Sequence, residues 1–427
     1  MHADVFNTIV GSRQFRQQVH LSFSGGGFMG IYHVGVGQAF REFAPYICER
    51  RVLGASAGAL AASCLVCNFP VDKAIQTITR ATVHCRNLSL GPLHPRFNVY
   101  DIMRDDLYAY MPEDAHVHAN GRLLVSLTYA TTLKNKIVDH FDSRNELIDV
   151  LLASCFVPYM FGLIPPKING VSYIDGGISC NVPVYDEYTI TVSPFHDSRT
   201  VIRPSQGIAP PGRVCAPRPV VRLFRAFFAP APSALEQLCR QGYADAIDFL
   251  QKNKLILCHH CITVADGREP KPLATGGAVV ERPTTSAAAE EDGEVEHALC
   301  RHCKRCNKLQ RLSHQVQIPS ILLDPMKEAA ANEERASKQF PLKQLTAVRV
   351  AIVVIALLLF PLHVIVTILE RVVKNWRYIH HWVVQSVQAC GDAFVRIRVC
   401  PFLCGERDSV RRLRHQAGAE VTQAPAQ

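Results

Sequence analysis

Ser56 stands in the pentapeptide Gly54-Ala55-Ser56-Ala57-Gly58, a G-x-S-x-G pattern that can present a hydroxyl for nucleophilic attack. Such a serine must lie on a tight turn between a strand and a helix, where small neighbours leave room for the substrate. The N-terminus of the helix then favours the negative charge that develops during attack. The same pattern is also found in glycine-rich turns in which the serine only caps the helix and has no catalytic role. The pentapeptide by itself therefore leaves both interpretations open.

A second group of small residues lies upstream, formed by Gly25, Gly26, Gly27 and Gly30. Their spacing also fits the G-x-G-x-x-G fingerprint of dinucleotide sites. A dinucleotide site needs an acidic residue for the ribose at the end of the next strand, but here that strand runs into the serine turn. A glycine run before a helix also offers unobstructed backbone amides. We therefore interpret these glycines as oxyanion donors that act together with Ser56.

A nucleophilic serine needs a base. Asp175 is the best candidate acid, because the two glycines that follow it indicate a stiff, open turn. The usual triad places a histidine after the acid, and His196 has that position within an ordinary polar loop. From the residues alone, a Ser–Asp dyad and a Ser–His–Asp triad remain open.

Alternating strands and helices must position these residues. We predict strands at 19–23, 51–53, 123–128 and 189–192, and helices at 30–43, 59–66, 146–152 and 234–251. The repeated order of strand, glycine turn and helix predicts an α/β fold with a mostly parallel sheet.

Composition excludes several classes of protein. With 427 residues, 48% hydrophobic and only 19% charged, the chain as a whole is not intrinsically disordered. The formal net charge is +9, and residues 371–427 supply +5 of it, from nine Lys and Arg against four Asp and Glu. A basic tail beside an apolar segment indicates an anionic membrane surface rather than nucleic acid. The N-terminal residues lack the pattern of a secretory signal, so we expect a protein that is not secreted.

Two cysteine clusters flank a stretch of small, polar and acidic residues. Together they contain five thiols, enough for a tetrahedral zinc site, in Cys258, Cys261, Cys300, Cys303 and Cys306. Reduced surface thiols, or thiols that carry lipid, are the alternatives. We predict no metal and no cofactor. Residues 258–340 are interpreted as a flexible linker that contains these cysteines.

Residues 350–369 form a run of twenty residues without a formal charge, interrupted by Pro361 and His363. As a helix, the run would span about 30 Å, which is the thickness of the hydrocarbon core of a bilayer. A buried core helix, a single membrane span and a hairpin inserted into one leaflet are the three interpretations. We favour the inserted hairpin, so that residues 341–427 form a hydrophobic and basic lipid anchor, a membrane-associated helical region.

The glycine loop, the serine turn and Asp175-Gly176-Gly177, in that order, resemble the patatin-like phospholipase domain family. The resemblance is closest to the adipose triglyceride lipase branch, which includes the insect Brummer lipases. It covers residues 19 to about 260 and rests also on stretches that the branch shares, namely 20–28, 90–95, 162–166, 189–195 and 239–243.

The resemblance implies a three-layer α/β/α hydrolase over residues 1–257, with Ser56 as nucleophile, Asp175 as base and no catalytic histidine. It implies hydrolysis of triacylglycerol at lipid droplets, in a protein shared between droplet and cytoplasm. Alternatives are a phospholipase A2-type or transacylase activity, or a weakly active droplet scaffold. Expected partners are the lipid substrate and the droplet or membrane surface. A protein co-activator is left open.

Overall fold

The structure is a computed structural model that describes most of the first 260 residues and a later segment. The described ranges are 13–88, 91–94, 97–158, 160–162, 164–195, 200–204, 226–257 and 317–339, with the single residues Val10, Arg311, Ile365 and Leu369.

Helices account for much of the described chain. They are α1 (Arg13–Gln18), α2 (Ile31–Phe43), α3 (Pro45–Cys48), α4 (Ala57–Val66), α5 (Val71–Asn87), α6 (Val99–Tyr110), α7 (Ala115–Ala119), α8 (Arg144–Ser154), α9 (Pro232–Lys252) and α10 (Ser320–Gln339). Short 3-10 turns occur at Gly27–Gly30, Gly91–Leu93 and Gly176–Ile178.

Seven strands form one sheet within the described ranges. They are β1 (His20–Phe23), β2 (Val52–Ala55), β3 (Leu123–Tyr129), β4 (Asn135–Val138), β5 (Lys167–Ile168), β6 (Val171–Asp175) and β7 (Thr189–Val192).

The sheet is parallel at its centre and antiparallel at one side. Strand β1 pairs in parallel with β2 and β7, and β2 pairs in parallel with β3. Strands β4 and β6 pair antiparallel with β3, and β5 pairs antiparallel with β6. Every residue of β1, β2 and β7 is buried, which requires helices on both faces of the sheet. The predicted three-layer α/β fold with a mostly parallel sheet is confirmed.

The α2 and α9 helices pack along each other and are tied by two tyrosine hydroxyls. Tyr32 Oη donates to Asp245 Oδ2 at 2.8 Å, and Tyr243 Oη donates to Glu42 Oε2 at 2.8 Å. Burial, together with the nearby Asp245 carboxylate, raises the pKa of Tyr32. This contact holds the C-terminal part of the domain against the helix that follows the glycine loop.

The predicted strands and helices are all confirmed, but several elements were missed. Helices α5 and α6, strand β4 and the β5–β6 hairpin lie outside the predicted ranges. The most consequential omission is α10, which lies within the segment predicted to be a flexible linker. It packs against α5 and α9, with Leu323 and Met326 fully buried. Arg86 of α5 also pairs with Glu333 of α10, with Nε 3.2 Å from Oε1.

The chain divides into two compact units, residues 1–357 and 358–427. In the second unit only Ile365 and Leu369 are described, and both side chains are exposed. The predicted lipid anchor therefore lies almost entirely outside the described residues. No helix in the part of the chain that the structure describes is long and apolar enough to cross a membrane.

Replacing Leu323 by Ala should destabilise the protein by about 2–5 kcal/mol, because it removes a fully buried side chain of α10 and leaves a cavity. The matched control is Ile321→Ala, two residues away on the same helix, where the side chain is 75% exposed. It should change the free energy of unfolding by less than about 0.5 kcal/mol. Urea unfolding of the full chain measures both; equal effects would show that α10 is not docked.

Candidate active site

Ser56 occupies a strained turn between β2 and α4. Its φ of 54° and ψ of −128° lie in a region that residues with a side chain rarely adopt. The Ser56 N–H donates to Ser154 Oγ at 2.9 Å, and Ser154 Oγ donates to Ser126 O at 2.8 Å. The Ser154 hydroxyl thus bridges the end of β2 to the middle of β3, where the turn interrupts the direct pairing of the two strands. The turn has the geometry that the G-x-S-x-G pattern predicted.

The two glycines of the pentapeptide are needed because the backbone is crowded. A Cβ atom at Gly54 would lie 2.4 Å from Gly58 O, and one at Gly58 would lie 2.3 Å from Phe23 O. No side chain fits at these distances, so α4 can begin directly against the ends of β1 and β2 only with glycine at both positions.

Asp175 ends β6 and contacts Ser56 directly. Ser56 Oγ donates to Asp175 Oδ2 at 2.6 Å, and the Gly177 N–H donates to Asp175 Oδ1 at 2.7 Å. The aspartate side chain is 7% exposed. Burial raises the pKa of Asp175 to about 6, although its two hydrogen bonds oppose the shift. The structure therefore brings together the two residues that the sequence proposed as nucleophile and base.

The hydrogen bonds of β3 show why these residues meet. Successive residues of a strand direct their N–H and C=O groups to opposite edges, so residues an even number apart use the same edge. Val52 N–H of β2 donates to Arg122 O at 2.7 Å, and Ala130 N–H donates to Ser172 O of β6 at 3.0 Å. Arg122 and Ala130 lie just before and just after β3. Strands β2 and β6 therefore share one edge of β3.

The two strands approach each other along this edge from opposite directions. Ala55, the last residue of β2, pairs with Ser126, and Asp175, the last residue of β6, pairs with Leu127. Because these are consecutive positions of β3, the residue after Ala55 must turn away from the sheet beside Asp175. That residue is Ser56.

The glycine loop lies next to the serine turn, but its four glycines are not equivalent. The Gly25 N–H donates to Asn181 O at 3.1 Å, so it is not free to bind an oxyanion, contrary to our expectation. Among the described residues, no hydrogen-bond partner is seen for the amides of Gly26 and Gly27. Gly30 ends the 3-10 turn, where a Cβ atom would lie 2.8 Å from Ala57 Cβ. In the structure, Gly30 therefore allows the 3-10 turn to pack closely against Ala57.

An apolar cavity opens from Ser56 and Asp175, with about 1080 Å³ of empty space that includes its open mouth. Three helices each line it with apolar residues spaced by three or four, so that one mainly apolar face of each helix forms the wall; Thr77 and Asp106 are polar residues on two of these faces. The apolar residues are Ala57, Ala61 and Cys64 of α4, Ala74, Ile78 and Ala81 of α5, and Val99, Met103 and Leu107 of α6. A cavity of this character fits a long hydrocarbon chain whose polar end lies at Ser56.

The histidine of the alternative triad, His196, lies outside the described residues. No histidine is among the described residues that line the cavity. Sequence reasoning missed Ser154, whose hydroxyl holds the serine turn, and Asn181, whose carbonyl binds the Gly25 amide. Neither belongs to a recognisable motif, because each acts on a segment distant in sequence.

The five cysteines considered for zinc, Cys258, Cys261, Cys300, Cys303 and Cys306, lie outside the described residues. Within the described ranges, no group of three or more His, Cys, Asp or Glu side chains is arranged to hold a metal ion.

Comparison with known proteins gives consistent matches. A family model described as patatin-like phospholipase matches residues 21–187. The chain is 36% identical over 344 residues to patatin-like phospholipase domain-containing protein 2 of Mus musculus, which covers 78% of this chain and 68% of that protein. It is 42% identical over 248 residues to the Homo sapiens protein of the same name, which covers 56% of this chain and 49% of that protein.

A third relative carries a different activity in its name. The chain is 38% identical over 244 residues to a 1-acylglycerol-3-phosphate O-acyltransferase of Mus musculus, which covers 55% of this chain and 59% of that protein. The matched part of the chain thus spans from 49% to 68% of the length of these curated relatives.

Asp175→Asn should stabilise the folded protein above pH 6, because a buried carboxylate is replaced by a neutral isostere. The pKa is about 6 when folded and about 3.9 when unfolded. The stability that the protonated carboxyl contributes is present below pH 4 and lost as the pH rises through 6. The variant's advantage should therefore grow between these limits to on the order of 3 kcal/mol. Urea unfolding at pH 4.5 and pH 8 measures it.

The control for this measurement is Asp142→Asn, which removes a carboxylate whose side chain is 80% exposed. An advantage of Asp175→Asn that is equal at both pH values, or absent at pH 8, would contradict the burial of an ionised Asp175.

Proposed function

This chain belongs to the patatin-like phospholipase family, and we propose that it is a serine lipase that hydrolyses ester bonds of triacylglycerol at lipid droplets. The family comprises lipid hydrolases and acyltransferases, so the substrate is a lipid. The observation that carries the finer proposal is the 2.6 Å hydrogen bond from Ser56 Oγ to Asp175 Oδ2 at the entrance of an apolar cavity.

In the proposed reaction, Ser56 Oγ attacks the ester carbonyl carbon while its proton passes to Asp175 Oδ2. The carbonyl oxygen becomes an oxyanion and accepts hydrogen bonds from the Gly26 and Gly27 amides. When the tetrahedral intermediate collapses, Asp175 returns the proton to the departing glycerol oxygen. The acyl chain stays on Ser56, within the cavity.

Deacylation repeats these steps with water. Asp175 accepts a proton from the water as it attacks the acyl carbon, and then protonates Ser56 Oγ as the fatty acid leaves. A pKa of about 6 leaves Asp175 mostly ionised at neutral pH, yet basic enough to accept the proton. A dyad can work without histidine, because the carboxylate already contacts the hydroxyl.

The second candidate is acyl transfer, which uses the same acyl-enzyme with an alcohol in place of water. It is favoured by the similarity to a relative named 1-acylglycerol-3-phosphate O-acyltransferase. The dyad does not distinguish the two acceptors. Product analysis with 1-acylglycerol-3-phosphate present distinguishes hydrolysis from transfer. Free fatty acid indicates hydrolysis, and a newly acylated glycerolipid indicates transfer.

Ser56→Ala and Asp175→Asn should each lower hydrolysis of emulsified triacylglycerol by at least about 10³-fold, because each removes one member of the dyad. His196→Ala should stay within about two-fold of the parent protein. Released fatty acid is the measurement. An active Ser56→Ala protein would exclude a serine hydrolase, and a large loss in His196→Ala would replace the dyad by a triad.

Deleting residues 341–427 should separate lipid binding from chemistry. The apolar run 350–369 and the basic residues beyond it are expected to bind a droplet surface. The deletion should keep hydrolysis of a soluble short-chain ester within about two-fold and reduce binding to phospholipid-coated triacylglycerol droplets by at least about 10-fold.

A longer deletion, of residues 317–427, also removes α10 and should lower the activity on the soluble ester. Unchanged droplet binding in the shorter deletion would refute the anchor.

A further inference from the structure

His33 lies two residues into α2 and is completely buried beneath the glycine loop. Its Nε2 lies 2.8 Å from the Ser24 carbonyl oxygen. A carbonyl oxygen only accepts hydrogen bonds, so Nε2 must carry a proton. Burial lowers the pKa of His33 to about 4, so the ring is neutral near pH 7 and its one proton lies on Nε2.

Two aromatic rings fix the orientation of this imidazole. The Phe23 ring packs edge-on at a centroid distance of 5.2 Å, and the Tyr32 ring packs edge-on at 6.2 Å. His33 Nδ1 has no hydrogen-bond partner among the described residues. The single polar contact of the ring is therefore the bond to Ser24, which is where the sheet passes into the glycine loop.

The peptide unit between Ser24 and Gly25 is held at both of its polar groups. Its C=O accepts from His33 Nε2 at 2.8 Å, and its N–H donates to Asn181 O at 3.1 Å. A planar trans peptide with both groups bound has a single orientation. This orientation sets where the next amides, those of Gly26 and Gly27, point.

Such a clamp is needed because three consecutive glycines have unusual freedom. Glycine populates positive and negative φ about equally, so the free loop would present its amides in many directions. An oxyanion hole stabilises a transition state only if its donors are already oriented. Gly27 in fact adopts φ +54°, and a Cβ atom there would lie 2.0 Å from Ala226 O. Side chains therefore cannot stiffen the loop, and its order must come from contacts made on its backbone.

We propose that His33 is a positioning residue that orients the oxyanion loop through the Ser24 carbonyl. It contacts neither Ser56 nor Asp175 in the hydrogen-bond network, and it does not line the cavity. Its contribution is to the transition state and not to substrate binding. This inference rests on the proposed serine hydrolase function.

The test compares His33→Met, which removes the N–H donor at similar length, with His33→Gln, which retains a side-chain N–H. With a soluble short-chain ester, His33→Met should lower kcat by about 10–10²-fold, somewhat less than removal of an oxyanion donor itself. KM should change by less than about two-fold, because ground-state binding is kept. His33→Gln should recover most of kcat. Binding of a trifluoromethyl ketone, a transition-state mimic, should weaken in parallel with kcat/KM.

The matched control is His20→Met. His20 is also buried, at the opposite end of β1, where its Nε2 lies 3.3 Å from Asp186 Oδ2. It should keep kcat within about two-fold, with rates expressed per site titrated by a fluorophosphonate.

Each outcome decides between a specific and a merely structural role. Equal kcat in the His33→Met and His20→Met proteins, or an effect on KM alone, would overturn the proposal. Failure of both His33 variants to fold would do so too, since the contact would then serve the fold and not the loop. If Ser56→Ala remains active, the serine hydrolase function itself fails. An inactive Ser56→Ala protein beside a fully active His33→Met protein rejects only the positioning role.

Discussion

The hydrogen bond between Ser56 Oγ and Asp175 Oδ2 is the interaction on which the remaining structure depends. It joins residues 119 positions apart, and it exists because β2 and β6 occupy the same edge of β3 and end at consecutive positions of that strand. A slip of one residue in either pairing would turn the side chains of that strand to the other face of the sheet. The antiparallel pairing of β6 beside the parallel centre of the sheet thus determines which side chain meets Ser56. It brings the C-terminal residue of β6, with the carboxylate of Asp175, to the carboxyl end of β2, where a parallel strand on the same edge would have placed its N-terminal residue.

Placing this pair at an apolar cavity has an energetic cost that would also serve the proposed chemistry. Burial penalises the ionised carboxylate, and the Gly177 amide and the Ser56 hydroxyl offset that penalty only in part, which leaves a pKa of about 6. A carboxylate in water, with its ordinary pKa near 3.9, would accept the serine proton much less readily. The positive φ of Ser56 stores further strain at the same place. Strand pairing and helix packing around the site must hold both features in place.

The parts of the site that could be predicted from sequence are those governed by local sterics. Gly54 and Gly58 contact backbone atoms at distances that exclude any side chain, so the turn is visible as a pattern of small residues. Asp175 is recognisable because glycines follow it. Ser154 and Asn181 act on segments far away in sequence, and His33 acts on the carbonyl of Ser24 nine residues before it, all through hydrogen bonds. Nothing in their neighbouring residues distinguishes them from core or loop residues. Assigning an oxyanion role to all four glycines failed at Gly25 for the same reason, since its amide is bound by a distant carbonyl.

The cavity at Ser56 extends beyond the residues that identify the family. The family model covers residues 21–187, which include the dyad and the glycine loop. The cavity, however, is also lined by Ala226 and Phe227, and α5, which forms another wall, is packed against α10. Arg86 of α5 donates both to Glu333 of α10 and to Ala229 O, beside that lining segment. In the proposed mechanism the chemistry at Ser56 is the same for every acyl substrate. The shape of the cavity, in contrast, depends on segments outside the matched region. In that mechanism, selection among esters and acceptors would therefore take place in the cavity walls and not at Ser56 and Asp175.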